Sequence, residues 1–388
     1  MKRIKNYTIC SKHLLPAIGL IAITNITFAE EITHRIDADI FAGYDDNPFK
    51  LAESLNVYES YFYQLNLQLT NRRNETGVYY RFKANTIEYQ DQESSDAGVD
   101  TFNAELGFRW RPEFNDLKAD YTFSIDVNTK DSTYYLRNTG NIATFGGEVI
   151  GDRYDANWFD IRGRGKYPLS KLTALTFDIR WRNKSYEDYT AIGLSNLDYS
   201  ELQFQGGFDL KFDNSWRWQP SLEWRGRYFD NKRIPDLQGD LIEDTDLKFS
   251  YLRLINDFYV DVSDSIDIKV GYDIKQREDN GQGYYDNTEN NANVRIRYRE
   301  KPHELAFYIA YVDRSFDNQT SDASAELEEE NKSKQGFNVR LKYEYSLEEI
   351  ITNNMKLVFE MEYGDYDNSD PFYVYERNQA YVGFESRF

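Results

Sequence analysis

Basic side chains recur at every second position in five segments of the sequence. The residues are Arg109 and Arg111; Arg162, Arg164 and Lys166; Arg180 and Arg182; Arg225 and Arg227; and Arg295, Arg297 and Arg299. A spacing of two places side chains on the same face of a β-strand. Because guanidinium and ammonium groups pair with carboxylates and phosphates, the pattern predicts a surface that attracts anionic groups.

Carboxylates are interleaved with these cations in the same polar positions. They include Asp120, Asp126, Asp160, Asp178, Asp209, Glu223, Asp257, Asp261, Asp267 and Asp273. Two interpretations stay open, since buried charges need partners. The cations either line a water-filled pore as basic tracks, or form a ladder of ion pairs that only braces a wall. The formal net charge of −20 must then reside mostly in acidic segments between the strands, such as 236–246 and 326–330.

The sequence contains few residues suited to metal binding, catalysis or nucleic-acid binding. Asp45 and Asp46 are candidate ligands for Ca²⁺ or Mg²⁺, which prefer oxygen donors, but no stretch has the spacing of a calcium loop. Only His34 and His303 follow the N-terminal segment, so we predict no catalytic residues and no cofactor. Nucleic acid is a poor partner for so acidic a chain.

The elements that carry these residues alternate with a period of two. In Ala119–Asn128, every second residue from Ala119 to Val127 is apolar, and the residues between them are polar or charged. This pattern is typical of a half-exposed β-strand. Sixteen such segments are predicted, at 35–44, 55–70, 77–89, 101–111, 118–129, 154–167, 173–183, 199–212, 216–228, 247–262, 266–276, 291–299, 304–313, 337–346, 354–365 and 378–388.

Long and short connections alternate between these segments, which predicts an all-β, up-and-down antiparallel transmembrane β-barrel. Outer-membrane barrels combine an even strand number with short periplasmic turns and long extracellular loops. A mean hydropathy of −0.75 argues against a helical membrane bundle. A soluble propeller or lectin would not need turns of alternating length, nor the Tyr and Trp residues near strand ends that favour membrane interfaces. The longest predicted loop, Lys130–Arg153, either folds into the lumen as a constriction or stays at the surface.

Both termini carry localisation signals. Residues 1–29 resemble a cleaved signal peptide, with basic residues before an apolar stretch, Leu14–Ile26, and small residues before the predicted cleavage site. An uncleaved anchor is the alternative, but the stretch is short for a membrane span. The barrel then occupies residues 30–388. Val382, Phe384 and Phe388 share one face, which resembles the terminal-strand signature that the barrel-assembly machinery recognises.

The first predicted strand leads into Gly43-Tyr44-Asp45-Asp46-Asn47. This start resembles the β-barrel porin (porin 2-like) families of Gram-negative bacteria, some of which are linked to exopolysaccharide export. The resemblance implies a protein of the cell outer membrane, in contact with lipid and lipopolysaccharide.

Three functions remain compatible with the sequence. The first is a porin-like channel for polar solutes or saccharides. The second is a conduit for exopolysaccharide export with periplasmic partners. The third is a non-conducting barrel that serves as receptor, adhesin or scaffold, and a homo-oligomer is compatible with each.

Overall fold

The computed structural model describes residues 34–52, 59–71, 76–91, 97–114, 116–136, 141–213, 215–320, 331–348, 350 and 354–388. The predicted signal peptide, residues 1–29, lies outside these described residues. In this part of the chain, no helix is both long and apolar enough to cross a bilayer.

Sixteen long strands form one sheet. They are β1 (His34–Asp45), β2 (Ser60–Asn71), β3 (Gly77–Tyr89), β4 (Val99–Trp110), β5 (Asp120–Ser132), β6 (Ala156–Pro168), β7 (Thr173–Tyr186), β8 (Tyr199–Lys211), β9 (Trp216–Phe229), β10 (Lys248–Asp261), β11 (Ile266–Asp279), β12 (Asn287–Glu300), β13 (His303–Thr320), β14 (Asn331–Ser346), β15 (Asn354–Asn368) and β16 (Tyr375–Arg387). Two tiny hairpins, Glu113–Phe114 with Leu117–Lys118 and Thr144–Phe145 with Glu148–Val149, lie in connections. Thr190–Ile192 and Pro371–Tyr373 are short 3₁₀ helices.

Each strand pairs antiparallel with the next, and β16 pairs with β1, so the sheet closes into a barrel. At this seam Asp37 lies opposite Arg387 and Asp45 opposite Gln379. Closure leaves no unpaired edge strand. The predicted all-β, up-and-down antiparallel barrel of sixteen strands is confirmed.

The exterior of the barrel is apolar and exposed. On β5 the side chain of Phe123 is 54% exposed and Ile125 is similarly exposed, whereas Ser124 between them is 5% exposed. Trp110 and Trp216 are exposed at the ends of their strands, as expected of an aromatic belt. An apolar belt around a closed barrel is stable against lipid rather than water. The chain is therefore a membrane-spanning barrel of the outer-membrane type.

Connections alternate in length around the barrel, which defines a long-loop end and a short-turn end. Several strands reach further toward the long-loop end than their hydrophobic pattern predicted. β12 begins at Asn287 instead of 291, β13 runs to Thr320 instead of 313, and β14 begins at Asn331 instead of 337. The prediction was wrong here because apolar alternation ends where lipid ends, whereas backbone pairing between strands can continue into water.

Candidate functional site

The predicted basic side chains all lie on the polar face, opposite the apolar exterior, and Arg111 follows directly after β4. Each of them has a carboxylate oxygen within 4.0 Å. The pairs are Arg109 and Arg111 with Asp120, Arg162 with Asp178, Arg164 with Glu105, Lys166 with Asp209, Arg182 with Asp160, Arg180, Arg225 and Arg227 with Glu201, and Arg295, Arg297 and Arg299 with Asp267. The inner wall is therefore a ladder of ion pairs. Its net charge depends on how many basic side chains share each carboxylate.

Glu201 on β8 is shared by three arginines. Its side chain is 1% exposed, and its oxygens lie 3.0 Å from Nη2 of Arg180, 2.8 Å from Nη2 of Arg227 and 3.8 Å from Nη1 of Arg225. Arg225 also lies 3.8 Å from Glu223. One carboxylate cannot neutralise three guanidinium groups, so this part of the wall keeps a positive excess.

Asp267 on β11 repeats the arrangement at the short-turn end. It lies 2.9 Å from Nε of Arg297, 2.9 Å from Nη2 of Arg299 and 3.8 Å from Nη2 of Arg295. The three arginines occupy alternate positions of β12, so that a single strand presents them to one acid. The result is a second positive site on the inner wall.

Several of these guanidinium groups also have unused donors. Among the described residues, the buried Nε atoms of Arg81, Arg180, Arg225 and Arg295 have no hydrogen-bond partner. Buried donors normally find acceptors. These N–H groups are therefore unsatisfied donors within the inner wall.

Among the cavities of the described structure, two open between the polar faces of the strands. The first, of about 540 Å³, is lined by Arg35, Arg81, Arg109, Arg164 and Lys166 but by only two carboxylates, those of Glu105 and Asp120. The second, of about 750 Å³, shares Arg35 with it and has a more balanced lining that includes Asp37, Lys83, Lys356 and Glu385. Cavities of this volume are large enough for a small molecule.

Other cations of the inner wall were not among the predicted residues. Arg253 pairs with Asp273 at 2.8 Å, and Lys275 pairs with Glu289 at 2.5 Å. Both lie at polar positions of the period-two pattern of their strands, so that pattern could have predicted that they face inward. Arg277 lies outside the predicted strand 266–276 because the apolar alternation stops before it, but in the structure β11 continues to Asp279.

The candidate cation ligands Asp45 and Asp46 are engaged by protein groups. The buried carboxylate of Asp45 accepts hydrogen bonds from Oη of Tyr89 at 2.8 Å and from Nε2 of Gln379 at 2.8 Å, and it pairs with Arg377. Asp46 accepts from Nδ2 of Asn378 at 2.6 Å. Within the described ranges, no three His, Cys, Asp or Glu side chains are grouped to hold a metal ion.

The two histidines contact tyrosine hydroxyls near strand ends. Nδ1 of His34 contacts Oη of Tyr80, and Nδ1 of His303 lies 2.8 Å from Oη of Tyr343. In the described structure, these ring contacts do not form a nucleophile–base–acid arrangement.

Val382 and Phe384 of β16, and Phe388 directly after it, are exposed. Glu385 lies on the inner face, where it pairs with Lys342 at 2.7 Å. Recognition of the terminal strand by the assembly machinery stays a prediction.

Several solved structures are similar to this chain at low sequence identity. The outer membrane protein OpdK from Pseudomonas aeruginosa is 10% identical, with a TM-score of 0.46 and coverage of 92% of this chain and 99% of that chain. OccAB4 from Acinetobacter baumannii is 11% identical, with a TM-score of 0.47 and coverage of 93% and 100%. A bacterial polysaccharide outer membrane secretin is 9% identical, with a TM-score of 0.42 and coverage of 92% and 99%. No protein-family model matches the sequence. The curated proteins likewise contain no match.

Proposed function

We propose that the protein is an outer-membrane channel of the porin-like kind that passes small polar solutes, saccharides among them, and favours anionic ones. The observation that carries the proposal is the sharing of carboxylates on the inner wall. Three arginines contact Glu201 and three contact Asp267.

The charge of the wall, rather than that of the whole chain, decides which ions the lumen favours. Field in a narrow, low-dielectric passage depends on the nearest fixed charges. The excess acids lie largely in the loops, whose field is screened beyond about 8–10 Å at physiological salt. A chain with a net charge of −20 can therefore have an anion-favouring lumen.

The lengths of the connections also indicate how the barrel is oriented across the outer membrane. In outer-membrane barrels the short turns face the periplasm and the long loops face outward. On this assignment the cavity lined by Arg35 and Lys166 is on the periplasmic side, because both residues lie at the short-turn end of their strands.

The test is conductance of the folded protein in planar bilayers under a KCl gradient. We expect discrete channels whose reversal potential has the sign of anion preference. Cation preference would overturn the assigned selectivity, and absence of conductance from protein with the gel mobility of a folded barrel would overturn the channel itself.

A further inference from the structure

The loop between β9 and β10, residues 230–247, packs against the inner wall. Ile234 and Leu247 of the loop form a buried apolar cluster with Phe249 and Tyr251 of β10. Phe249 and Tyr251 face inward, since the alternate residues Leu252 and Leu254 are exposed on the exterior. The loop is therefore held inside the barrel mouth by apolar contacts.

This packing places Lys232 beside Arg277 of β11, because Nζ of Lys232 and Cζ of Arg277 lie 5.4 Å and 5.7 Å from the ring centroid of Tyr285. Burial, together with the positive charges of Arg277, Arg153 and Arg227, lowers the pKa of Lys232. These four residues come from two strands and two loops, and they constitute what we call the outer cation cluster: Arg153, Arg227, Lys232 and Arg277.

Aromatic rings rather than acids support most of this cluster. Nζ of Lys232 lies 5.1 Å from the ring centroid of Phe229 and 5.4 Å from that of Tyr285. Cζ of Arg277 lies 4.9 Å from the centroid of Phe249. A ring face stabilises a cation but carries no net charge, so these contacts leave the positive charge of the cluster uncancelled.

Carboxylates are scarce around the cluster. Arg227 shares Glu201, but no carboxylate of a described residue lies within 4.0 Å of Arg153, Lys232 or Arg277. The carboxylate of Asp279 accepts hydrogen bonds from the backbone N–H groups of Gly281 and Tyr285, at 2.8 Å each.

One donor of the cluster is also unused. Nη2 of Arg153 donates to the carbonyl of Ser195 at 3.3 Å, whereas its buried Nη1 has no hydrogen-bond partner among the described residues. A buried guanidinium donor without an acceptor is costly, and an incoming oxyanion would supply the acceptor.

We propose that the outer cation cluster is a binding site for an oxyanion group, a carboxylate or a phosphate, on solutes that enter from the long-loop end. The proposal rests on the proposed function in that it names the chemical class of the solute. Lys232 is its specificity-determining residue, because the loop inserts that charge into a wall that already holds Arg227 and Arg277.

The test is calorimetric titration of the folded protein in detergent with D-glucuronate, inorganic phosphate and D-glucose. We expect saturable binding of one or both anions and none of glucose, and the tighter anion identifies the preferred group. Lys232→Gln should weaken anion binding about tenfold, the effect of one lost charged hydrogen bond. Arg153→Gln should weaken it as well, and Lys232→Arg should retain it.

The matched control is Lys171→Gln, which removes one positive charge from an exposed short turn and should leave binding unchanged. Equal affinity of the wild type and both Gln variants, or glucose binding as tight as glucuronate binding, would overturn the site. Lys232-dependent binding by a barrel without conductance would uphold the site and reject the channel. Conductance without anion binding would uphold the channel and reject the site.

Discussion

Asp45, the last residue of β1, and Arg377, near the start of β16, form a buried ion pair across the seam where the barrel closes. The side chain of Asp45 is fully buried, and Tyr89 of β3 donates a hydrogen bond to the same carboxylate. Three strands thus meet at one acid. The pair links the beginning of the chain's barrel to its end.

Breaking this pair should weaken the barrel more than breaking an exposed pair. We expect Arg377→Gln to lower the free energy of unfolding by about 3–5 kcal/mol, because it leaves a buried carboxylate without its cation. Adding Asp45→Asn should recover part of the loss. Urea unfolding, followed by the gel mobility of unboiled samples, measures both effects.

The control for this prediction is Lys301→Gln, which breaks an exposed pair with Glu348 and should cost less than about 1 kcal/mol. Similar losses for Arg377→Gln and Lys301→Gln would mean that the seam pair adds no more than a surface contact.

The architecture was predictable because lipid imposes a strict pattern. Phe123, Ile125 and Val127 can face only lipid and Ser124 and Asp126 only the lumen, so the period of two is visible in the sequence. Strand number, closure and the inward face of the arginines follow from that pattern. Above the membrane the constraint disappears, which is why the outer parts of β12, β13 and β14 were missed.

The candidate site was predictable only in part. Each row of arginines lies within one short segment of the sequence, but their carboxylate partners lie on other strands. The sequence around Glu201 does not indicate that it contacts Arg180, Arg225 and Arg227 at once. The position of Lys232 depends on how Ile234 and Leu247 pack against another strand. In the predicted loop Lys130–Arg153, Tyr135 contacts Phe49 of the connection between β1 and β2, and folding of this loop into the lumen stays a prediction.

Opposite faces of β5 should respond differently to an added charge. We expect Phe123→Arg, on the lipid face, to lower the free energy of unfolding by about 2–4 kcal/mol. Ser124→Arg should cost much less, since it places the cation beside Asp126, which Ser124 contacts at 3.1 Å. Folding into lipid vesicles at graded urea concentrations compares the two variants, and equal losses would mean that the two faces are assigned wrongly.

Anion selectivity should decrease when one arginine is replaced whose carboxylate partner keeps other cations. Arg182→Gln would leave Asp160 without its guanidinium, whereas Arg295→Gln leaves Asp267 paired with Arg297 and Arg299. We expect Arg295→Gln to reduce the anion-to-cation permeability ratio about two- to fourfold, the effect of one charge a few Å from the path in water.

Reversal potentials under a KCl gradient measure this ratio. Lys171→Gln, with the same change in net charge outside the lumen, should leave it unchanged. A ratio that stays constant in both variants would assign the arginines around Asp267 a purely bracing role.

The base of loop 133–155 should loosen as pH rises. Burial and the carboxylates of Asp131 and Asp152 raise the pKa of Asp155 to about 6, although a 2.7 Å hydrogen bond from the N–H of Ser132 acts in the opposite direction. Because the folded pKa is raised, the stabilisation is complete below about pH 4 and is lost as pH rises through about 6.

Asp155→Asn keeps the acceptor for Ser132 and removes the charge. At pH 8 we expect its loop to be cleaved more slowly by protease than the wild-type loop, by the equivalent of about 1 kcal/mol after solvent screening. At pH 4 the two should be cleaved alike. Asp264→Asn, in an exposed turn at the other end, should not alter this pH profile, and a wild-type profile that is flat from pH 4 to 8 would contradict the prediction.

Detaching loop 230–247 should widen the passage without unfolding the barrel. Leu247 is fully buried against inward-facing Phe249 and Tyr251, so Leu247→Asp would bury an unpaired carboxylate unless the loop leaves the wall. We expect the loop to leave, because the barrel strands keep their own hydrogen bonds, and single-channel conductance should rise. Leu237→Asp, at an exposed position of the same loop, adds the same charge and should leave conductance near the wild-type value. If Leu247→Asp made the loop protease-sensitive while conductance stayed unchanged, the narrowest part of the path would lie elsewhere in the barrel.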